Sequence, residues 1–300
     1  MKKSFLLLGL TLMGAVGMAQ NVVEVESGTY SFSVGNIKDK VRLSDVDMNI
    51  PQTKTVNDKT FCVIFANEKY QKEQSVPFAI HDGEVFKEYC VKTLGIPEKN
   101  IHYQANATLN NMKHEVDWLK NTLNVHKGEA NGIVYYSGHG MPNEANMSSY
   151  LLPVDGYSTD SDSGYSLDKM YDDLGKADAT SITYFIDACF SGANRNGVMM
   201  QENKGIAVDS KPGRLQGNSV VFSAANGEQT AYVYQDKSHG MFTYFLLKKL
   251  QETKGNVNYG DLAEFISDKV SRLSLVENSK NQTPVTSSTI GDWKKMKFNK

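Results

Sequence analysis

The sequence predicts an α/β protein, built on a mostly parallel central β-sheet with helices on both faces. Two observations carry that prediction. From Thr60 onward, short apolar runs alternate with amphipathic stretches, the pattern of strands joined by crossover helices. Two of those runs, "YYSGHG" at 135–140 and "DACFSG" at 187–192, stop abruptly on a reactive side chain among small residues.

The elements follow in order. "TFCVIFA" (60–66) is continuous enough in apolar residues to be a buried strand. "VPFAIHDGEVFKEYCVKTLGI" follows as a helix that ends at Gly95, with Pro97 just beyond it. "NIHYQA" gives a second strand. Thr108 is placed to cap a helix over "LNNMKHEVDWLKNTL", whose Leu109, Met112, Val116, Leu119 and Leu123 recur at helical spacing. "GIVYYSG" (132–138) is the third strand, and "SLDKMYDDLGKA" a helix entered through Ser166. "SITYFIDA" (181–188) and "NSVVFSAA" (218–225) are the fourth and fifth strands, followed by helices at "HGMFTYFLLKKLQ" and "YGDLAEFISDKVSRLSL".

The chain of 300 residues, 40% hydrophobic and 22% charged, is long enough for one large domain. A formal net charge of −2, with both signs interspersed, offers no footprint for nucleic acid and no polybasic membrane patch. Residues 1–19, MKKSFLLLGLTLMGAVGMA, combine a basic start, a short apolar stretch and a small-x-small exit, the pattern of a secretory signal peptide. The expected location is the periplasm or the cell exterior, with no membrane attachment after its removal. A retained membrane anchor is the alternative. Residues 20–59 are polar and turn-rich, an amino-terminal extension that either wraps the core or covers the active site. The alternating strand-and-helix pattern then occupies 60–300.

There are three cysteines, so one stays unpaired within a monomer. Cys62 and Cys90 sit in apolar and helical runs, as small buried hydrophobes do, although a mutual disulfide is also open. Cys189 is different, because it follows a strand end and Asp187. In open α/β sheets ligands bind outside the carboxyl ends of the strands, where His139 and Cys189 would both lie if their strands are neighbours. An imidazole can then favour the thiolate and protonate the leaving amine of a cleaved peptide. Gly140 lets the backbone approach the scissile carbonyl. Its N–H and that of Cys189 would form an oxyanion hole, worth roughly 3–4 kcal/mol per donor. Taken singly, the His reads as a loop residue and the Cys as core; together they form a candidate dyad.

"YYSGHG" followed fifty residues later by "DACFSG" resembles the caspase-like cysteine peptidases, and within them the metacaspase and bacterial branch. The likeness extends as an order of elements from about 60 to 285, through "HDGEVF", "GMFTYFLLKKL" and "NQTPV". It implies a caspase-like fold and a cysteine endopeptidase. Animal caspases carry Q-A-C-x-G at the cysteine, whereas Asp187 stands here in place of the Gln. The resemblance to metacaspases makes Asp82, Ser137 and Asp187 the lining of a pocket for a basic side chain, implying polypeptide substrates cleaved after Arg or Lys. The other readings are a helix-dipole role for Asp82 and a hydrogen-bonded strand end for Asp187. Basic specificity would allow self-cleavage at Arg195, Lys204, Lys211 or Arg214, or at Lys38, Lys40, Arg42, Lys54 or Lys59.

No cofactor is required by such chemistry. Many metacaspases are calcium-activated, and Asp155, Asp160, Asp162, Asp168, Asp172 and Asp173 lie between the dyad members. An acidic helix surface is the alternative, as no EF-hand spacing is present, and the histidines fall at no recognised metal spacing. Two further functions stay open: a catalytically silent binding or signalling module, and another cysteine-nucleophile enzyme such as an acyl transferase or amidohydrolase.

Overall fold

The computed structural model describes residues 41–143, 148–191, 213–227 and 229–298 in full, and the backbone of 20–25 and 28–33. The expected signal peptide, Lys38, Lys40, Arg195, Lys204 and Lys211 lie outside the described residues. The chain divides into two compact units, Met1–Lys40 and Val41–Lys300. The first contains an antiparallel hairpin of β1 (Gln20–Val25) and β2 (Gly28–Ser33).

The second unit is the α/β domain. Its elements are β3 (Thr60–Ala66), α1 (Ala79–Lys92), β4 (Ile101–Ala105), α2 (Leu109–Val125), β5 (Asn131–Ser137), β6 (Gly140–Pro142), β7 (Ser149–Leu151), β8 (Tyr165–Ser166), α3 (Leu167–Gly175), β9 (Ser181–Asp187), β10 (Ser219–Ser223), β11 (Val233–Tyr234), β12 (His239–Gly240), α4 (Met241–Thr253), α5 (Tyr259–Asn278) and β13 (Val285–Ser288). Six strands form the central sheet in the order β13-β10-β9-β5-β3-β4, parallel throughout except for the antiparallel edge strand β13. The predicted α/β class is therefore present.

Local chemistry accounts for the elements. Both faces of β3, β5 and β9 are covered by helices, so these strands are apolar at almost every position rather than alternating. Cys62, Ile64, Tyr135 and Phe185 pack with α1, α4 and α5, while Val63, Phe65, Tyr136 and Tyr184 pack with α2 and α3. Thr108 caps α2 by accepting a hydrogen bond from Asn111 N–H, and the Asn111 side chain accepts from Thr108 N–H in return. Ser166 Oγ accepts from Lys169 N–H and opens α3. His239 and Gly240, read from sequence as the start of a helix, instead pair with Val233 and Tyr234, and the helix begins at Met241.

Residues 41–59 pack on the domain. Val46 is wholly buried, and its carbonyl accepts from Tyr89 Oη at 2.9 Å. Thr53 N–H donates to Lys92 O, and Asn57 N–H to Gly95 O. Gly95 has φ +69°, and a Cβ there would fall 2.0 Å from Thr55 O, so the close approach of this segment requires glycine. Cys62 and Cys90 are both free and buried, as small hydrophobes are. Burial and the neighbouring Cys90 thiol push the Cys62 thiol well above its usual range. Among the described residues no helix is long and apolar enough to cross a membrane.

Candidate active site

The register of the central sheet brings the two strand-end motifs together. Ser137 at the end of β5 is the direct partner of Asp187 at the end of β9. Gly138 N–H donates to Asp187 O at 3.2 Å, which extends the ladder one step further. His139 and Cys189 each lie two residues beyond that last pair, on the carboxyl rim of neighbouring strands. A Cβ on Gly140 would lie 2.5 Å from Cys189 O and 2.7 Å from the Phe190 ring, so the chain after His139 runs directly against the chain after Cys189.

His139 is 2% exposed, and its backbone N–H donates to Tyr70 Oη at 2.8 Å. Its Nε2 lies 2.7 Å from Gln74 O. A carbonyl only accepts, so Nε2 carries the proton and Nδ1 carries the lone pair of the neutral ring. Tyr136 Oη donates to His139 O at 2.6 Å and tethers the backbone from below. Cys189 is equally buried, with Sγ accepting from Ala231 N–H at 2.8 Å. Tyr70, Gln74 and Ala231 were not identifiable from sequence. They lie in loops: Gln74 and Ala231 act through backbone groups, which leave no signature of residue type, and Tyr70 acts through a phenol far from His139 in sequence.

The three pocket candidates also converge, and each makes hydrogen bonds inside the protein. Asp82 stands in the first turn of α1 and is wholly buried. It accepts from Ser137 Oγ at 3.2 Å, from His239 Nδ1 at 2.8 Å and from Gly240 N–H at 3.1 Å. Asp187, also wholly buried, accepts from Thr243 Oγ1 at 2.7 Å and Thr243 N–H at 3.3 Å. Thr243 Oγ1 is in turn 2.7 Å from Tyr135 Oη. Asp187 thus has the hydrogen bonds expected of a strand-end carboxylate, with Thr243 as its partner.

His239 sits between two carboxylates, Asp82 on Nδ1 and Asp47 on Nε2 at 3.0 Å. Burial by itself would lower its pKa, but the hydrogen bonds to Asp47 and Asp82 outweigh burial and push it up to about 9. Burial opposes ionisation of Asp47 too, and the contacts with His239 and His81 override it, holding that carboxyl far below the usual range. Histidines count as neutral in a formal charge tally, so sequence gave no sign of this buried cation.

Five of the six acidic residues considered for calcium serve separate local roles through their carboxylates. Asp155 Oδ1 accepts from Leu109 N–H, Asp160 from Asp162 N–H, and Asp168 from Arg214 N–H. Asp172 and Asp173 pair with Lys176 and Lys169. Among the described residues, the one group of three ligand-type side chains whose atoms approach within 4.8 Å is Asp47, His81 and His239.

A cavity of about 300 Å³ opens beside Phe190, with Tyr171, Leu215, Val221, Ala225 and Val285 in its wall. A larger one of about 750 Å³ lies at the opposite end of the sheet, near Lys59, Asn131 and Ser181, where these strands begin. Position relative to the strand ends favours the smaller as part of a substrate cleft.

No curated protein sequence matches the chain. Its fold is similar to that of caspase-1 from Spodoptera frugiperda, with a TM-score of 0.55 at 16% identity, over 87% of this chain and 98% of that one. The family model described as the caspase domain matches residues 59–292, which take in both strand-end motifs and α1 to α5. The chain belongs to the caspase-domain family of cysteine peptidases.

Proposed function

We propose that the protein is an exported cysteine endopeptidase that uses His139 and Cys189 to cleave peptide bonds after Arg or Lys, and that it processes itself. The observation that carries the reading is the Ser137–Asp187 pairing, which puts the histidine and the cysteine on one rim, two residues beyond the same ladder step.

The reaction runs in two steps. The Cys189 thiolate, released from its contact with Ala231 N–H, attacks the scissile carbonyl carbon. The resulting oxyanion is held by the N–H groups of Cys189 and Gly140. His139, with Nε2–H committed to Gln74 O, takes the thiol proton on Nδ1 and delivers it to the leaving amine as the C–N bond breaks. Water, deprotonated by the same nitrogen, then cleaves the thioester and frees the thiol.

Electrostatics support a basic residue at the cleavage site. Asp82 and Asp187 meet across Ser137, and the surroundings of Asp82 stabilise an internal cation, His239, strongly enough to raise it to about 9. A guanidinium or ammonium from a substrate would share this carboxylate environment with His239. Self-processing has accessible candidates in Arg42, Lys54, Lys59 and Arg214, all exposed. Export rests on the pattern of residues 1–19.

The test is a panel of fluorogenic peptides ending in Arg, Lys, Asp and Leu, with Cys189→Ala as the control. Turnover after Arg and Lys alone, abolished in Cys189→Ala and in His139→Ala, is expected. Turnover after Asp overturns the specificity. No turnover of any peptide favours the silent module, and acyl transfer without peptide cleavage favours the other enzyme class.

A further inference from the structure

We propose that Asp47, His81 and His239 form a site for a divalent transition metal, zinc foremost, that fastens the 41–59 segment to the caspase domain beside Asp82. The three residues come from that segment, from the first turn of α1 and from β12. Asp47 Oδ1 is 3.0 Å from both His81 Nε2 and His239 Nε2. Ligand atoms around a tetrahedral zinc ion are about 3.3 Å apart, so small side-chain shifts accommodate an ion between them. The two imidazole rings are stacked 4.6 Å apart at 27°, with both Nε2 atoms turned toward Asp47.

Two imidazoles and one carboxylate are a donor set suited to zinc and its neighbours rather than to calcium. Burial strengthens the case. The His239 side chain is fully buried, that of Asp47 is 2% exposed and that of His81 12%. His81 Nε2 is buried and faces the cluster 3.0 Å from Asp47 Oδ1, as an ion-pair contact and without a hydrogen bond of regular geometry. A bound ion satisfies that nitrogen and takes the place of the proton on His239 Nε2, which passes to solvent.

The outer shell is also in position. His239 Nδ1 donates to Asp82, the carboxylate–histidine arrangement that orients metal-bound imidazoles. Asp82 is braced by Gly240 N–H and Ser137 Oγ, and the second oxygen of Asp47 accepts from Ser44 N–H. With neutral imidazoles, the two negative charges of Asp47 and Asp82 match one divalent ion. Nearby Asp45 is balanced separately by Lys237 and Lys248.

The site rests on this cluster and not on the peptidase reading, so it is tested by binding rather than turnover. The full chain carrying Cys189→Ala, which removes the thiol that would compete for metal, is titrated with Zn²⁺ by calorimetry. Metal content is then measured after dialysis. One zinc per chain and a rise in melting temperature are expected, with at least tenfold weaker binding in His81→Ala and in His81→Gln. Either variant serves if its metal-free circular dichroism matches the parent. Co²⁺ is expected to give visible bands without thiolate charge transfer. No stoichiometric zinc, equal affinity in folded His81 variants, or a thiolate signature from Cys62 and Cys90 would each overturn the proposal.

Discussion

At the scale of single residues, the site is built from buried polar groups whose partners decide their behaviour. His239 faces Asp47, Asp82, His81 and the Tyr244 ring, and in the metal-free chain it keeps its proton to about pH 9. An unfolded histidine releases it near 6.5, so the stability from this group is complete below about 6.5 and is lost as pH rises through 9. The whole difference is on the order of 3 kcal/mol. In the presence of a chelator, the melting temperature should therefore fall between pH 6.5 and 9, and His239→Gln should flatten that fall. Gly140→Ala tests a different contact: its methyl group would collide with Cys189 O, a backbone atom that cannot yield. We expect roughly 1–3 kcal/mol of destabilisation and at least a hundredfold loss of peptide turnover, read by denaturant titration and by kcat/KM.

At the scale of elements, the amino end of α4 supports the carboxyl end of β9. Thr243 lies in the first turn of that helix and gives Asp187 both its hydroxyl and its N–H. Thr243→Val keeps the shape and removes the hydroxyl that bonds both the buried Asp187 carboxylate and Tyr135 Oη, which should cost roughly 2–3 kcal/mol in urea unfolding. Loss of affinity for a basic substrate, seen as a rise in KM, is the functional counterpart if Asp187 contributes to the pocket. The elements themselves were largely legible in sequence. The seven-residue runs of β3, β5 and β9 were each found to within a residue, because buried parallel strands are apolar at nearly every position. The two-residue strand at His239–Gly240 was not, since so short a strand has no periodicity, and its placement depends on Val233 and Tyr234 alone. β13 escaped for the same reason: four residues at an exposed edge carry little hydrophobic signal.

At the scale of the whole molecule, residues 41–59 belong physically to the sheet domain. They bring Val46 to the core, Asp47 to His239, and backbone hydrogen bonds to Lys92 and Gly95. A chain beginning at Val41 is expected to unfold in one cooperative transition. A chain beginning at Thr60 loses the burial of Val46 and leaves His239 without Asp47, and it should melt at least 5 °C lower by circular dichroism, about 1–2 kcal/mol at this size. Equal melting temperatures would show that the segment contributes nothing to the domain's stability.

Sequence by itself determined the α/β class, the order of the strands along the chain, and the two motifs whose reactive residues follow β5 and β9. Those are local matters: hydrophobic runs, glycine placement and residue type are written position by position. Only the tertiary structure decided which strands are neighbours, and so that Ser137 meets Asp187. It also decided that Asp82 is held by His239, and that Asp47, His81 and His239, separated by 34 and 158 positions, share one point. Such contacts are set by packing across the fold. No local pattern of side chains encodes a partner more than a hundred residues away.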